Sequence, residues 1–237
     1  MNIKQIKNKI ITLFFPNRCA GCDCVIPAGN GVCAECEKRI RLLKGAVCMV
    51  CGKQVKDDNV CCYDCGRKKH EFIQNNAVFE YVDVRKSLYR FKYNGRAEYA
   101  AYYAQKAYEL YEKKIALWNA DAIIPVPLHR SRYRKRGYNQ AEEFAKELSI
   151  RTGIPVNNTV LKRVKSTKPL KLLSLSERQN NLKKAFLFMQ NDVKLNTIIL
   201  VDDIYTTGTT LDEVSKVCKA GGVSEIYTIT VAVGRGF

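Results

Sequence analysis

The sequence predicts an α/β protein, a doubly wound parallel sheet preceded by a small cysteine-rich module. Three observations carry this reading. Strand and helix patterns alternate from Ala77 to Val233. The apolar run Ile198–Val201 reads as a strand buried on both faces, as inner strands of parallel sheets are. Ahead of both, eight cysteines fall into four C-x-x-C pairs between Cys19 and Cys65. The 237 residues suit one or two domains. A charged hinge, Arg67–Glu71, sets the expected boundary, giving a module over 1–70 and a second domain over 71–237.

Met1–Phe15 has the pattern of a short amphipathic helix ending at Pro16. Its apolar run Ile10–Phe15 is too short for a secretory signal, and no small-residue cleavage site follows. No stretch approaches a membrane span. Eleven cysteines without a signal point to a reducing cytoplasm and metal-bound thiolates. Cys19, Cys22, Cys33 and Cys36 recur as Cys48, Cys51, Cys62 and Cys65, each shifted by 29 positions. A C-x-x-C turn presents two thiolates from one knuckle, and two knuckles complete a tetrahedral Zn²⁺ site. The repeat favours two ribbons with one Zn²⁺ each; the alternative is cross-braced, first pair with third and second with fourth. Using Cys61 in place of Cys62, or His70 as a ligand, would break the repeat, and Cys218 reads as a small core residue. Four thiolates leave no open position, so these sites are structural or binding platforms.

Beyond the hinge, Ala77–Val82 is the first expected strand. Val84–Tyr93 mixes apolar and basic residues before the turn Asn94-Gly95. Arg96–Trp118 is a helix whose tyrosines (Tyr99, Tyr102, Tyr103, Tyr108, Tyr111) read as packing residues. Asp121–Leu128 is a strand, and His129–Gly137, dense in cations with no carboxylate, reads as a mobile loop. Tyr138–Arg151 is an amphipathic helix stopped at Gly153, and Thr159–Val164 a strand. Lys165–Leu173 is a basic loop and Ser174–Lys184 a helix capped by Ser176. Leu211–Ala220 is a helix closing at Gly221-Gly222, and Glu225–Val233 the last strand.

With 40 Lys+Arg against 23 Asp+Glu the formal charge is +17. Two sites of four thiolates and one Zn²⁺ would lower it to about +13. A polyanion or a negatively charged ligand is implied. Arg130, Arg132, Arg134, Lys135 and Arg136, with Tyr133 and Tyr138 interleaved, are candidate contacts to single-stranded DNA. The chain has no G-x-x-x-x-G-K-[ST], which excludes a P-loop nucleoside triphosphatase.

The chemistry concentrates after Ile198–Val201. Asp202 and Asp203 stand where that strand is expected to end, followed by Thr206, Thr207, Gly208, Thr209 and Thr210 and then a helix. Free N–H groups at the helix start, with the Thr hydroxyls, form a phosphate cradle. Gly208 allows close backbone approach, and the two carboxylates suit vicinal hydroxyls. The run VDDIYTTGTT resembles the phosphoribosyl-pyrophosphate (PRPP) signature of type I phosphoribosyltransferases. That resemblance implies ribose hydroxyls on Asp202 and Asp203, the 5′-phosphate on Thr206–Thr210, and Mg²⁺ bridging ribose and pyrophosphate. It also implies displacement of pyrophosphate from C1 through an oxocarbenium-like transition state, with Arg136 or its neighbours closing over the leaving group. Only Gly234–Phe237 follow the last strand, so a lid would come from the cysteine module or from Val84–Trp118.

PVPLHRSRYRKRGYNQA (Pro125–Ala141), RFKYNG (Arg90–Gly95), and Arg178 and Asn181 before Phe186, together with the cysteine module, resemble the ComF family over essentially the whole chain. That family is associated with natural competence, the inward passage of single-stranded DNA alongside a helicase-like ATPase. The resemblance implies a cytoplasmic DNA-uptake protein reaching the inner face of the membrane through partners. One departure is Leu170, where the family usually has Gln. Three functions follow: a competence factor that binds single-stranded DNA and has a PRPP site, a free-standing Mg-dependent phosphoribosyltransferase with a nucleobase-like acceptor, and a non-catalytic PRPP sensor. The sequence leaves open whether transfer occurs.

Overall fold

The computed structural model describes residues 16–55, 60–165, 185–189 and 194–234. In chain order its elements are α1 (Ala34–Arg39), α2 (Tyr63–Arg67), β1 (Gln74–Glu80), α3 (Tyr81–Tyr93), α4 (Tyr99–Trp118), β2 (Ala122–Pro125), α5 (Arg130–Arg136), α6 (Gln140–Thr152), β3 (Leu161–Arg163), β4 (Phe186–Phe188), β5 (Thr197–Tyr205), α7 (Thr209–Ala220) and β6 (Glu225–Val233). The helices expected over Met1–Phe15 and Ser174–Lys184 lie outside the described residues, as do nearly all of the basic loop over Lys165–Leu173, Leu170 and the Arg178/Asn181 pair.

β1, β6, β5 and β2 form a parallel sheet in that order. Alternation along β5 decides which residues face which layer. Ile199 and Val201, with Ile229 and Val231 of β6, meet Tyr103 and Ala107 of α4 and Phe144 and Leu148 of α6. Ile198 and Leu200, with Ile226, meet Leu211, Val214 and Cys218 of α7. Helices therefore cover both faces, and the apolar run of β5 is the inner strand its composition predicts. Cys218 is fully buried, as expected of a small core residue.

Thr159–Val164 departs from expectation. Its central residues form β3, which pairs antiparallel with β4 in a separate ribbon instead of joining the parallel sheet. The place beside β2 is taken by the chain at Val156, where Ile123 N–H donates to Pro155 O at 2.9 Å and Asn157 N–H donates to Ile123 O at 2.9 Å. β4 instead packs on the end of α7, where Phe188 fills the space a Cβ on Gly221 would need. The other sheet edge is covered too, since Leu43 N–H donates to Val78 O at 2.9 Å and Leu42 bridges Phe79 antiparallel. Neither edge is left as a bare template for another strand.

The cysteine repeat folds as two copies of one unit, a knuckle followed by a short helix. Arg18 and Val25 bridge in the first knuckle, Val47 and Gln54 in the second, and Cys33 and Cys62 are the residues capping α1 and α2. Among the described residues, neither unit has a core of its own. Cys19, Ile26, Val32 and Cys36 pack into the cluster that holds α4, and Leu43, Cys48 and Cys51 pack into the cluster that holds α7. Tyr99, Tyr102 and Tyr103 are buried in the first of these, so those tyrosines are packing residues as their spacing suggests. One polar clamp reinforces the contact: Arg96 donates to both oxygens of Asp23 at 2.7 and 3.0 Å, and Tyr99 OH donates to Asp23 Oδ1 at 2.5 Å.

Candidate functional site

β5 does not end at Val201. It runs on to Tyr205, paired to β6 throughout, so Asp202 and Asp203 lie within the strand. The reason is one-sided support. β2 stops opposite Val201, with Val126 N–H donating to Val201 O at 2.9 Å, while β6 continues to Val233 opposite Tyr205. The β2 side of Asp202–Ile204 is therefore open. β5 connects onward through α7 on one face and β2 through α6 on the other, so this opening is a topological switch point, where open α/β sheets bind ligands.

Asp203 is paired with Lys92 of α3 at 2.9 Å, both side chains largely buried. Asp202 accepts the Asp203 N–H at 2.8 Å. Its carboxyl is pushed up to about 7 by loss of solvent and then by the Asp203 charge. Arg163 of β3, held with its guanidinium 5.2 Å over the Phe186 ring, is lowered to about 10 by burial and by Arg132. Arg132 is lowered as well, by burial first and then by Arg136. Cations from three elements, α3, α5 and β3, thus converge on one acidic pair.

The stretch His129–Gly137, expected as a mobile loop, contains a helix. His129 Nδ1 accepts the Ser131 N–H at 3.2 Å, Gly137 closes the helix in the left-handed conformation at φ 83°, and Arg134, Lys135 and Arg136 occupy the last turn, where the helix dipole favours cations. Caps and dipole offset the self-repulsion. The helix also sorts its charges. Arg132 and Arg136 are half-buried and turned toward Tyr93, with Arg136 Nη2 donating to the Tyr93 hydroxyl at 3.4 Å, while Arg130, Arg134 and Lys135 are exposed. Tyr133 is exposed, but Tyr138 is not an available ring, because its hydroxyl donates to Phe91 O and its side chain packs on Phe91.

Thr206–Thr210 wraps the N-terminus of α7. Gly208 precedes the helix at φ 74°, and a Cβ there would stand 2.7 Å from the Tyr205 hydroxyl and 2.9 Å from His70 Cε1. Glycine is required both for conformation and for space. The Thr207 and Thr209 hydroxyls are 2.9 Å apart. Asp212 in the first turn is buried and accepts from Lys68 Nζ at 2.5 Å, His70 Nδ1 at 3.0 Å and Glu71 N–H at 3.1 Å. Burial opposes its charge, but the bonds from His70 and Lys68 hold its carboxyl below the usual range. His70 Nε2 lies 3.5 Å from Cys65 Sγ and 3.4 Å from the Tyr205 hydroxyl, and Lys68 Nζ reaches Thr207 O at 3.4 Å. One buried imidazole thus spans from the second cysteine cluster to the threonine loop. Sequence reasoning missed Lys68, Lys92, Arg163 and Asp212. Only Lys92 had a local signal, in the basic run before Asn94-Gly95.

The cysteines group sequentially, Cys19, Cys22, Cys33 and Cys36 in one cluster and Cys48, Cys51, Cys62 and Cys65 in the other, with each set of sulfurs within 4.8 Å. This excludes cross-bracing, and it selects Cys62 over Cys61. Tetrahedral zinc with Zn–S of about 2.3 Å needs sulfurs about 3.8 Å apart. Cys22 and Cys33 are 3.8 Å apart and Cys51 and Cys62 3.6 Å. The donor set fits as well. Cys19 Sγ accepts N–H groups of Gly21 at 3.3 Å and Cys33 at 3.2 Å, and Lys53, paired with Asp64 at 2.8 Å, adds positive charge near Cys51 and Cys62. Cys22 is lowered to about 6 by the Cys24 backbone, while burial raises Cys36. Four thiols this close ionise together only around a cation.

Comparison with known proteins matches both halves. Residues 10–66 match the family described as a double zinc ribbon domain, and residues 101–236, more than half of the chain, match the phosphoribosyl transferase domain. Competence protein F of Haemophilus influenzae is 34% identical over 90% of this chain and 95% of its own length. The chain belongs to the ComF family. Competence protein ComFC of Bacillus subtilis is 29% identical over 76% of this chain and 74% of its own, and the DNA utilization protein YhgH of Salmonella typhimurium 26% over 83% and 87%. Among the described residues of this ComF-family chain, no helix is long and apolar enough to cross a membrane.

Two outcomes follow from this geometry. Metal analysis should find two zinc ions per chain. Chelation should lower the melting of the whole chain, because structural zinc carries about 10–16 kcal/mol in finger peptides and both cores include ribbon residues. A sheet transition indifferent to chelation would contradict this. The second outcome concerns Asp202, whose folded pKa of about 7 stands above its ordinary value near about 3.9. The folded state favours the protonated acid, so stability present below the unfolded value is lost as pH rises through about 7. Asp202→Asn escapes that loss, and its melting temperature should exceed wild type by several degrees at pH ~8, with the gap closing toward pH ~5. Equal melting at the higher pH would show that Asp202 is not desolvated.

Proposed function

We propose that the chain is a cytoplasmic factor of natural competence and DNA uptake. On this reading it binds single-stranded DNA and holds PRPP with Mg²⁺ at the junction of β5 and α7. The observation that carries the reading is the acidic pair on the open side of β5, directly followed by a glycine-turned threonine loop at a helix N-terminus. The names of the curated relatives, competence and DNA utilization, support the cellular role. Thiolate tetrads support a reducing compartment. The absence of a P-loop supports an external helicase-like ATPase as motor.

Asp202 and Asp203 accept hydrogen bonds from the ribose hydroxyls, and the ion pair with Lys92 at 2.9 Å fixes the position of Asp203. Thr206, Thr207, Gly208, Thr209 and Thr210 take the 5′-phosphate through hydroxyls and the free N–H groups of the first turn of α7. Arg136, with Arg132 and Arg163, faces the pyrophosphate. Bound Mg²⁺ would supply neutralisation of charge on the pyrophosphate oxygens. The outward cations Arg130, Arg134 and Lys135 track DNA phosphates. Residues 1–70 then serve as a zinc-ribbon module and 71–237 as the ligand-binding domain. The convergence of Arg132, Arg136 and Arg163 favours a second reading, a phosphoribosyltransferase with a nucleobase-like acceptor, because such cations stabilise a leaving group. Release of pyrophosphate from PRPP on adding nucleobases, followed in a coupled assay, tests that reading.

Calorimetry with PRPP and Mg²⁺ tests the site. Asp202→Asn with Asp203→Asn should weaken binding at least about 100-fold without unfolding, because an amide presents a donor where an acceptor is needed. Wild-type affinity in the double variant would sink the assignment. For DNA, replacing Arg130, Arg134 and Lys135 by Gln should lower the slope of log affinity against log salt by up to about 2, at about 0.7 per phosphate on a single strand. PRPP affinity should stay unchanged. A slope left at the wild-type value would remove α5 from the DNA interface.

A further inference from the structure

A groove of about 430 Å³ opens beside the acidic pair, lined by α3 and by Ile204 of β5. Lys92, at its inner end, is the residue that meets Asp203. Arg90 at its side donates to Gly21 O of the first ribbon at 3.2 Å. The groove therefore runs from the acidic pair toward the zinc-ribbon module, along a helix that the sequence marked only as mixed apolar and basic.

Its lining is unusual for a surface helix. α3 buries Val84, Ser87, Leu88 and Phe91. The outer stripe carries Arg85, Tyr89 and Tyr93 at helical spacing of four. Tyr89 and Tyr93 are 60% and 52% exposed, although the sheet's own packing uses other rings. Their centroids are 5.1 Å apart at 48°, so the two rings form an open V instead of stacking on each other. The Arg136 guanidinium lies 5.0 Å from the Tyr93 centroid, and Arg85 and Lys86 line the groove. Among the described residues no carboxylate lines it. Exposed rings flanked by cations in a concave surface are what a stacked base with its phosphates requires.

We propose that this groove is a stacking track for single-stranded DNA, with a base held on Tyr89 and Tyr93 and its flanking phosphates on Arg85 and Lys86. It rests on the reading of the chain as a single-strand binder, and adds a base-contacting surface on α3 distinct from the phosphate-tracking cations of α5. The track leads strand nucleotides toward the acidic pair, where the ribose of PRPP is proposed to sit.

The test uses the full chain and fluorescence anisotropy of labelled (dT)12 and of an abasic strand of the same length. Tyr89→Ala with Tyr93→Ala should weaken (dT)12 binding about 10- to 100-fold. The salt slope should be unchanged, because stacking releases no counterions. Binding of the abasic strand should be unaffected by that variant, and Tyr89→Phe with Tyr93→Phe should retain wild-type affinity for (dT)12. Arg85→Gln with Lys86→Gln should instead lower the slope, by about 0.7 per phosphate. Both tyrosines are exposed, so melting should be unchanged and a loss of binding is not a loss of fold. If the alanine variant binds (dT)12 as wild type does, the stacking track is overturned while single-strand binding stands. If the wild type binds no strand at low salt, both fall.

Discussion

Asp212 is the constraint on which the site's assembly depends. A carboxylate buried in the first turn of α7 must be satisfied, and every partner described for it comes from the segment Lys68–Glu71. That segment leaves the second ribbon and enters β1. The requirement to pair one buried charge therefore fixes the ribbon, the start of the sheet and the threonine loop relative to one another. His70 cannot turn away without leaving the carboxylate short of a donor and opening the space against Gly208. The ribbons are thus part of the site's wall as well as neighbours to it.

The acidic pair shows how the sheet's geometry sets electrostatics. Because β2 ends at Pro125, Asp202 and Asp203 stand side by side with strand support on one side only. Two like charges in partly desolvated surroundings oppose each other, and the protein answers with cations rather than water. Lys92 comes from one element, Arg132 from another and Arg163 from a third. An arrangement in which anions and cations interleave suits a ligand that itself presents hydroxyls and several phosphates, since each part finds a complement without first stripping the other.

Most of the fold was legible because its signals are local. β5, β6, α4 and α6 lie close to where apolar spacing put them, and the 29-residue cysteine shift announced two sequential clusters. The misreadings share a cause. The basic segment was judged by its charge alone, although His129 and Gly137 at its ends cap a helix. β3 was assigned to the parallel sheet because strand identity is local while strand partner is not. In the site, Asp202, Asp203 and the threonine loop were legible as one continuous run. Lys68 and His70 meet Asp212 across more than 140 positions, and no periodicity reports such a contact. Arg163 was invisible for the same reason, approaching the acidic pair from an element whose own pattern is complete without it, and Lys92 showed only as part of a basic run, with nothing to tie it to Asp203.

β6 lies between β1 and β5, yet it follows both in the chain. During synthesis the ribbons and β1 exist long before their neighbour does. The strand that will bind β1 is separated from it by about 150 residues, a closure whose entropic cost is met late. Until residues beyond Glu225 are made, the sheet has a gap at its centre, and β1 and the central strand β5 each present an unpaired edge. The covers at Leu43 and Val156 guard the outer edges of the finished sheet, whereas these inner edges are paired by β6. Synthesis of β6 is therefore the step that closes the sheet, and a nascent chain halted before it would expose to other molecules the backbone that the mature sheet hides most deeply.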